Sequence, residues 1–373
     1  MAPFERRLRS LAAALRSPNA PAPAPAAAAL VEEPEPHAAP PGPALYEHLE
    51  REGYAVVRDL LSAEMVARLR DATDLLIDEE RKNDGPYSSR HLFRSQGSMI
   101  SVPGHRVDPA EKVVLPTVDP VFLELISWQP ALDALVQLGW PAGGATFTDG
   151  YIISKPPRSP PLFWHCARQR TPPLLAPRIA DPPSFADDWF SWEIDVDYAP
   201  RPPQLFFMYY LHNTTVENGC LRCIPRSHYA HNPLHEVLEN PHNADYSRAE
   251  DPTAVPYATR EDEVDVMVQA GDLVMGDSRM LHAAHANNSD RRRTVITLWI
   301  QPDYDGLPLK TQAQMLMKTH RIPEEWSQAQ QARLRAMLPD SHWEAAGHGD
   351  VEALVEREGF DCSRQLYRRR EQP

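Results

Sequence analysis

At 373 residues the chain is long enough for one large packed domain, and a formal net charge of -14 disfavours a nucleic-acid partner, whose phosphates repel an acidic surface. No apolar run approaches the length of a membrane span. Four cysteines, at 166, 220, 223 and 362, without a secretory signal pattern, point to a reducing compartment, so the expected location is the cytoplasm. Cys220 and Cys223 form a Cys-x-x-Cys, but a zinc ribbon needs a second close pair and none exists, so both read as ordinary strand residues.

Residues 1–43 combine Arg6, Arg7, Arg9 and Arg16 with a Pro and Ala tract that buries too little apolar surface to fold, and a disordered tail is expected there. The basic stretch from Phe4 to Leu15 leaves mitochondrial targeting open as an alternative, and the last residues are not a peroxisomal tripeptide. Order is expected from 44 to 305, followed by a helical extension over 306–373. Tyr46 to Leu49 opens a short helix, and Gly53 to Asp59 reads as a strand. Ser62 then caps a helix along which Met65, Leu69, Ala72 and Leu76 repeat at helical spacing. A second amphipathic pattern runs from Pro120 to Leu138, interrupted at Pro130, and should pack on the outside of a barrel.

Thr146 to Lys155 reads as a strand, and Gln204 to Leu211 as a strand buried on both faces. With 219–224, 264–268, 271–276 and 293–300 the count of short strands fits a mainly β double-stranded β-helix, a jelly roll, with flanking helices. Between Gly271 and Trp299 the pattern is two strands joined by a polar loop that starts at His282 and ends at Arg293. A neutral imidazole is a ligand for first-row metals, and an arginine fork grips a carboxylate in two places. Together in one pocket they would let a metal hold an acid cosubstrate.

The stretch from Gly271 through Leu281-His282 to Asn287 and Arg293 resembles the distal half of the phytanoyl-CoA dioxygenase family of Fe(II)- and 2-oxoglutarate-dependent oxygenases. Glu217-Asn218-Gly219-Cys220-Leu221 and Pro225-Arg226-Ser227-His228 are similar to that family's Asn-Gly-Cys-Leu strand and Pro-Gly-Ser-His turn, with Arg226 where the family has glycine. The resemblance covers roughly 45–305. It implies that His282 is an iron ligand and that Arg293, eleven residues on, binds the far carboxylate of 2-oxoglutarate. Lys155 and Met208 fall near cosubstrate-contact positions. Ala284 stands where the family often has a serine that holds 2-oxoglutarate, which removes one hydrogen bond worth about 0.5 to 1.5 kcal/mol. His285 has the wrong spacing to Arg293 for the ligand role and reads as an exposed or supporting residue.

The family's proximal ligands are His-x-Asp, one face of a strand carrying both. Here His165 follows Trp164, yet position 167 is alanine. Removing 166–186 in thought restores Trp164-His165-Asp187-Asp188-Trp189, so Asp188 is the expected carboxylate and the Pro-rich 166–186 an inserted loop or translated intron. Asp195 or Asp197 could substitute if Asp188 is displaced, whereas Glu193 reads with them as a solvated acidic face. Taken literally, His165-Cys166-Ala167 resembles the related non-haem iron halogenases, and a jelly-roll binding protein with a dead metal site is the non-enzyme alternative. What the resemblance implies first is hydroxylation of a small or lipid-like organic molecule by Fe(II), 2-oxoglutarate and O2, with release of succinate and CO2. Substrate and oligomeric state are not legible.

Overall fold

The protein is described by a computed structural model over residues 43–83, 98–101, 119–166, 201–238, 254–316, 322 and 326–358. In chain order the first elements are α1 (Pro43–Glu52), β1 (Tyr54–Val57), α2 (Ala63–Asn83), β2 (Ser98–Ser101), α3 (Val121–Ile126) and α4 (Gln129–Gln137). Next come β3 (Thr146–Lys155), β4 (Leu162–His165), β5 (Leu205–Tyr210), β6 (Leu221–Cys223), α5 (Leu234–Val237) and β7 (Val264–Val266). The chain continues through β8 (Leu273–Asp277), β9 (His282–Ala284) and β10 (Arg293–Gln301) to α6 (Leu309–Leu316), α7 (Gln328–Arg335), α8 (Pro339–Ala346) and α9 (Val351–Glu358).

The strands form two antiparallel sheets, a larger one in the order β1-β8-β5-β10-β3-β2 and a smaller one in the order β4-β9-β6-β7. Period-two alternation explains how the larger sheet is covered on both faces. On β5, Leu205, Phe207 and Tyr209 join the main core with Leu273 and Met275 of β8, Ile296 and Leu298 of β10, and the helices α2, α3 and α4. Phe206, Met208 and Tyr210 point the other way and pack with Val274 and Val295 against Leu221, Cys223 and Val266 of the smaller sheet. That is why β5 is buried at all six positions and reads as continuous apolar sequence. The result is a jelly roll whose two sheets face each other, with helices on the outer side of the larger one.

Local signals act where they were expected. The Ser62 hydroxyl accepts from the Met65 amide at 3.1 Å and starts α2, whose Met65, Leu69 and Ala72 are buried. The Pro120–Leu138 pattern is split into α3 and α4 at Ser127-Trp128, and Pro130 sits in the first turn of α4, where its missing N–H costs nothing. The C-terminal helices divide. Leu334 and the Met337-Leu338 pair that follows α7 enter the main core, and the Met337 carbonyl accepts from the Phe147 amide at 2.6 Å. Residues of α6, α8 and α9, Leu316, Trp343 and Leu354 among them, make a small core of their own.

Two differences from the sequence reading matter. His282 does not begin a polar loop: it opens β9, a strand of the smaller sheet whose backbone pairs with β4 on one side and β6 on the other. In the larger sheet β8 and β10 are consequently not neighbours, and β5 lies between them. Position 226 holds the second. Arg226 has φ 68, the left-handed region that costs an L-residue roughly 1–2 kcal/mol. Its side chain is largely exposed and reaches Glu52 only at 3.7 Å, too loosely to offset the strain. Arg226→Gly should therefore raise stability by about 0.5–1 kcal/mol after the entropy of glycine is counted, read as a Tm increase of about one to three degrees. An unchanged or lower Tm would show that the turn is not strained.

Candidate active site

The site begins with a bulge. Along the β4–β9 pair Leu162 stands opposite Ala284 and His165 opposite His282, so three steps on one strand match two on the other. Without the extra residue Leu162 and His165 would point to opposite faces. The bulge turns His165 onto the side of His282. Trp164, displaced to the outer side, is pinned there: its amide donates to the Pro256 carbonyl at 2.7 Å, its indole to the Ala258 carbonyl at 3.0 Å, and the Arg222 guanidinium lies 4.7 Å over its ring. Arg222 is itself held by a buried ion pair with Glu263.

The two imidazoles are thereby brought side by side, ring centroids 4.1 Å apart and planes tilted by 49°, and the Phe206 ring centre lies 5.0 Å from that of His282. Gly276 makes room for Phe206, since a Cβ there would fall 2.0 Å from the ring. Each histidine has its Nδ1 against a carbonyl two residues back, His165 on Phe163 at 3.0 Å and His282 on Met280 at 2.9 Å. A carbonyl partner fixes Nδ1 as the protonated nitrogen and leaves Nε2 as the lone-pair donor, the tautomer a metal requires. Burial lowers the pKa of His165 to about 4 and, with the His165 ring beside it, that of His282 to about 3. Both are neutral at physiological pH.

Arg293 opens β10 directly opposite Lys155 of β3, and alternation places both on the inner face with Val295 and Ile153. Its guanidinium is 6.0 Å from the centre of the Tyr210 ring and donates to the Gly219 carbonyl, while its Nε is buried without a hydrogen-bond partner. No ion pair to Arg293 occurs among the described residues. Burial pushes its pKa down, and burial together with Arg293 pushes Lys155 well below the usual amine value. Lys155 also donates to the Pro160 carbonyl at 2.7 Å. Gly219, at φ 91, has to be glycine because a Cβ would meet the His285 carbonyl at 2.9 Å and the Lys155 side chain at 3.1 Å.

The loop from 287 to 293 owes its shape to Asn287, which is fully buried. Its amide nitrogen donates to the carbonyls of Lys155, Pro156 and Arg291 at 3.2, 3.0 and 2.8 Å, and its oxygen accepts from Ser289. This ties the start of β10 to the end of β3. Met208 is buried on the inner face and accepts from the Tyr210 hydroxyl at 3.6 Å. The structure thus brings His165 to His282, and Arg293 to Lys155. Asp188, the alternatives Asp195 and Asp197, and residues 167–186 lie outside the described residues. Phe206, Tyr210, Gly219 and Asn287 were not singled out for the site from sequence; the uninterrupted apolar run hid the first two, which the strand pairing reveals, and hydrogen bonds to Arg293 and to the end of β3 reveal the others.

A family model described as phytanoyl-CoA dioxygenase (PhyH) matches residues 49–295. The chain belongs to the phytanoyl-CoA dioxygenase family. It is thereby grouped with the Fe(II)- and 2-oxoglutarate-dependent oxygenases, whose third reactant is O2. No curated protein matches the chain. Among solved structures, EctD from S. alaskensis with 2-oxoglutarate and 5-hydroxyectoine is 19% identical over 71% of this chain and 77% of that one, with a TM-score of 0.44. HygX from Streptomyces hygroscopicus with nickel and 2-oxoglutarate is 16% identical over 70% and 86%, also at 0.44. The carbocyclase SnoK from nogalamycin biosynthesis is 18% identical over 69% and 83%, again at 0.44.

Two neutral histidines, His282 buried and His165 half-buried, have a pH signature. A group whose folded pKa is depressed takes up its proton in the unfolded chain first, so its contribution to stability is complete above the ordinary imidazole pKa of 6.5 and is lost as pH falls toward about 4. The Tm of the metal-free chain should drop through that window, and drop less in a His165→Phe/His282→Phe variant. Equal slopes for the two proteins would mean that the histidines are not buried neutral.

Proposed function

We propose that this family member is an Fe(II)- and 2-oxoglutarate-dependent hydroxylase of a small or lipid-like organic substrate, with His165, His282 and Asp188 as the iron ligands. The observation that carries the reading is the unpaired charge of Arg293. A guanidinium buried on the inner face without a carboxylate among the described residues costs several kcal/mol until an anion arrives. A dicarboxylate whose far end meets Arg293 and whose keto-acid end reaches the two imidazoles supplies that anion. The neighbouring residues suit this cosubstrate as well: Lys155 stands opposite Arg293 with a second nitrogen, and Met208 and Tyr210 supply an apolar and aromatic lining.

When bound, iron, 2-oxoglutarate and O2 supply the oxidising chemistry, with succinate and CO2 as coproducts. The chain's own part is positional. His165 and His282 present neutral Nε2 donors from two strands of one sheet, and their Nδ1 protons stay on backbone carbonyls. Arg293 sets the depth at which the cosubstrate lies, and Phe206 and the Trp164 anchor keep the imidazoles from rotating away. Asp188 would complete a two-histidine, one-carboxylate face and leave the remaining positions open to reactants.

Anaerobic addition of Fe(II) and 2-oxoglutarate should give a visible charge-transfer band. Arg293→Ala should need roughly 10- to 100-fold more 2-oxoglutarate for the same band, the loss of a charged hydrogen-bonded pair worth about 1.5–3 kcal/mol. Asp188→Ala should lose iron. Unchanged 2-oxoglutarate dependence in Arg293→Ala would contradict the anchor, and full iron binding and turnover in Asp188→Ala would contradict the carboxylate assignment.

A further inference from the structure

A different trio of ligand-bearing side chains meets on the other face of the smaller sheet. Cys220 precedes β6, Asp265 is the middle residue of β7 and His285 follows β9. Leu221, Cys223 and Val266 face the larger sheet, so Cys220, Arg222 and Asp265, the last two paired in register, face outward, away from the imidazole pair of His165 and His282. The Cys220 Sγ, an Asp265 carboxylate oxygen and a ring nitrogen of His285 all lie within 4.8 Å of one another, the one such group of three among the described residues. His285 Nε2 is 2.6 Å from Asp265 Oδ1. The backbone locks the arrangement, for the His285 amide donates to the Cys220 carbonyl at 3.0 Å.

From this geometry we infer that Cys220, Asp265 and His285 form a second metal site, separate from the oxygenase centre, that takes a zinc-like divalent ion with one position open to water. The donor set decides the class of ion: sulfur, imidazole and carboxylate together suit zinc, whereas magnesium and calcium want oxygen alone. Charge agrees with it. A thiolate and a carboxylate neutralise a divalent cation, so an ion can enter a partly buried position without leaving net charge there. Cys220 is fully buried and in no disulfide, while Asp265 and His285 are 36% and 19% exposed, which gives the ion a path from solvent. At a tetrahedral ion the imidazole and carboxylate donors stand about 3.3 Å apart, so from 2.6 Å they need to separate by about 0.7 Å, within the reach of two part-exposed side chains.

A redox role for the same thiol is the weaker reading. Burial, and then Asp265, push the Cys220 thiol up to about 12, so without an ion it stays protonated and unreactive. Cys223 does not reach the group, since it faces the opposite side of β6 and lies across from His282.

The position suggests what an ion does there. Gly219, whose carbonyl accepts from Arg293, is the residue before Cys220 and lies against the His285 carbonyl. An ion clipping Cys220 to His285 holds that carbonyl in place, and this consequence rests on the reading of Arg293 as the cosubstrate anchor. Metal binding itself does not.

The test uses the full chain with His165→Ala and His282→Ala, which silences the proposed iron site, and Co(II) as the probe. One equivalent should bind with a thiolate-to-cobalt charge-transfer absorption and tetrahedral visible bands. Cys220→Ser and His285→Ala should each abolish the thiolate absorption, and Cys223→Ser should keep it, with far-ultraviolet circular dichroism confirming folding. Should Cys220→Ser fail to fold, the part-exposed His285→Ala decides. Absence of thiolate absorption, its persistence in His285→Ala, or its loss in Cys223→Ser would overturn the proposal. Failure of the oxygenase reading leaves this result untouched, because the histidines of that site have already been removed.

Discussion

The bulge between Leu162 and His165 is the constraint on which the site depends. A strand alternates strictly, so two side chains from neighbouring strands meet only when their registers agree. Here the distal strand offers His282 and the proximal strand would, without its extra residue, turn His165 away. The cost of breaking the ladder is met by fastening the displaced residue: Trp164 is hydrogen-bonded at its amide and its indole and stacked beneath Arg222. The buried Arg222–Glu263 pair on the outside of the smaller sheet is in this sense part of the imidazole geometry inside.

The same logic governs the cationic wall. Arg293 is the first residue of a nine-residue central strand and cannot withdraw to water, because Asn287 ties the preceding loop to the end of β3 and the rest of β10 pairs on both sides. A charge fixed so firmly in the interior is expensive, and its cost is tolerable when binding of an anion relieves it. Thr294 to Gln301 hold the strand while Arg293 stands at its end, so the pairing of β10 fixes where the guanidinium sits.

Much of the fold was legible because its signals are local. The period of α2, the proline at the start of α4 and the unbroken apolar run of β5 each state a local environment. The spacing from His282 to Arg293 likewise marked two positions that the structure brings to the space between the sheets. What escaped was register. Nothing in Leu162 to His165 announces a bulge, and His282-Ala283-Ala284 is too short and too small to declare itself a strand, so it read as loop. Asn287 looked like one more polar loop residue, although it is buried and joins the carbonyls of Lys155 and Pro156 to that of Arg291 in its own loop, two segments far apart in sequence. The Cys-x-x-Cys spacing drew attention to Cys223 as the partner of Cys220, whereas sheet pairing sets Cys220 beside Asp265 and His285. Asp188 rests on sequence alone.

The proposed function stands or falls on one metal ion being held by His165 and His282 together. Pulsed electron paramagnetic resonance of the nitrosyl adduct of the Fe(II)- and 2-oxoglutarate-loaded chain counts the imidazole nitrogens coupled to the metal. Two are expected in the unaltered chain, one in either His165→Ala or His282→Ala, and no change in His285→Ala. A single imidazole in the unaltered chain, or the loss of one in His285→Ala, would contradict it.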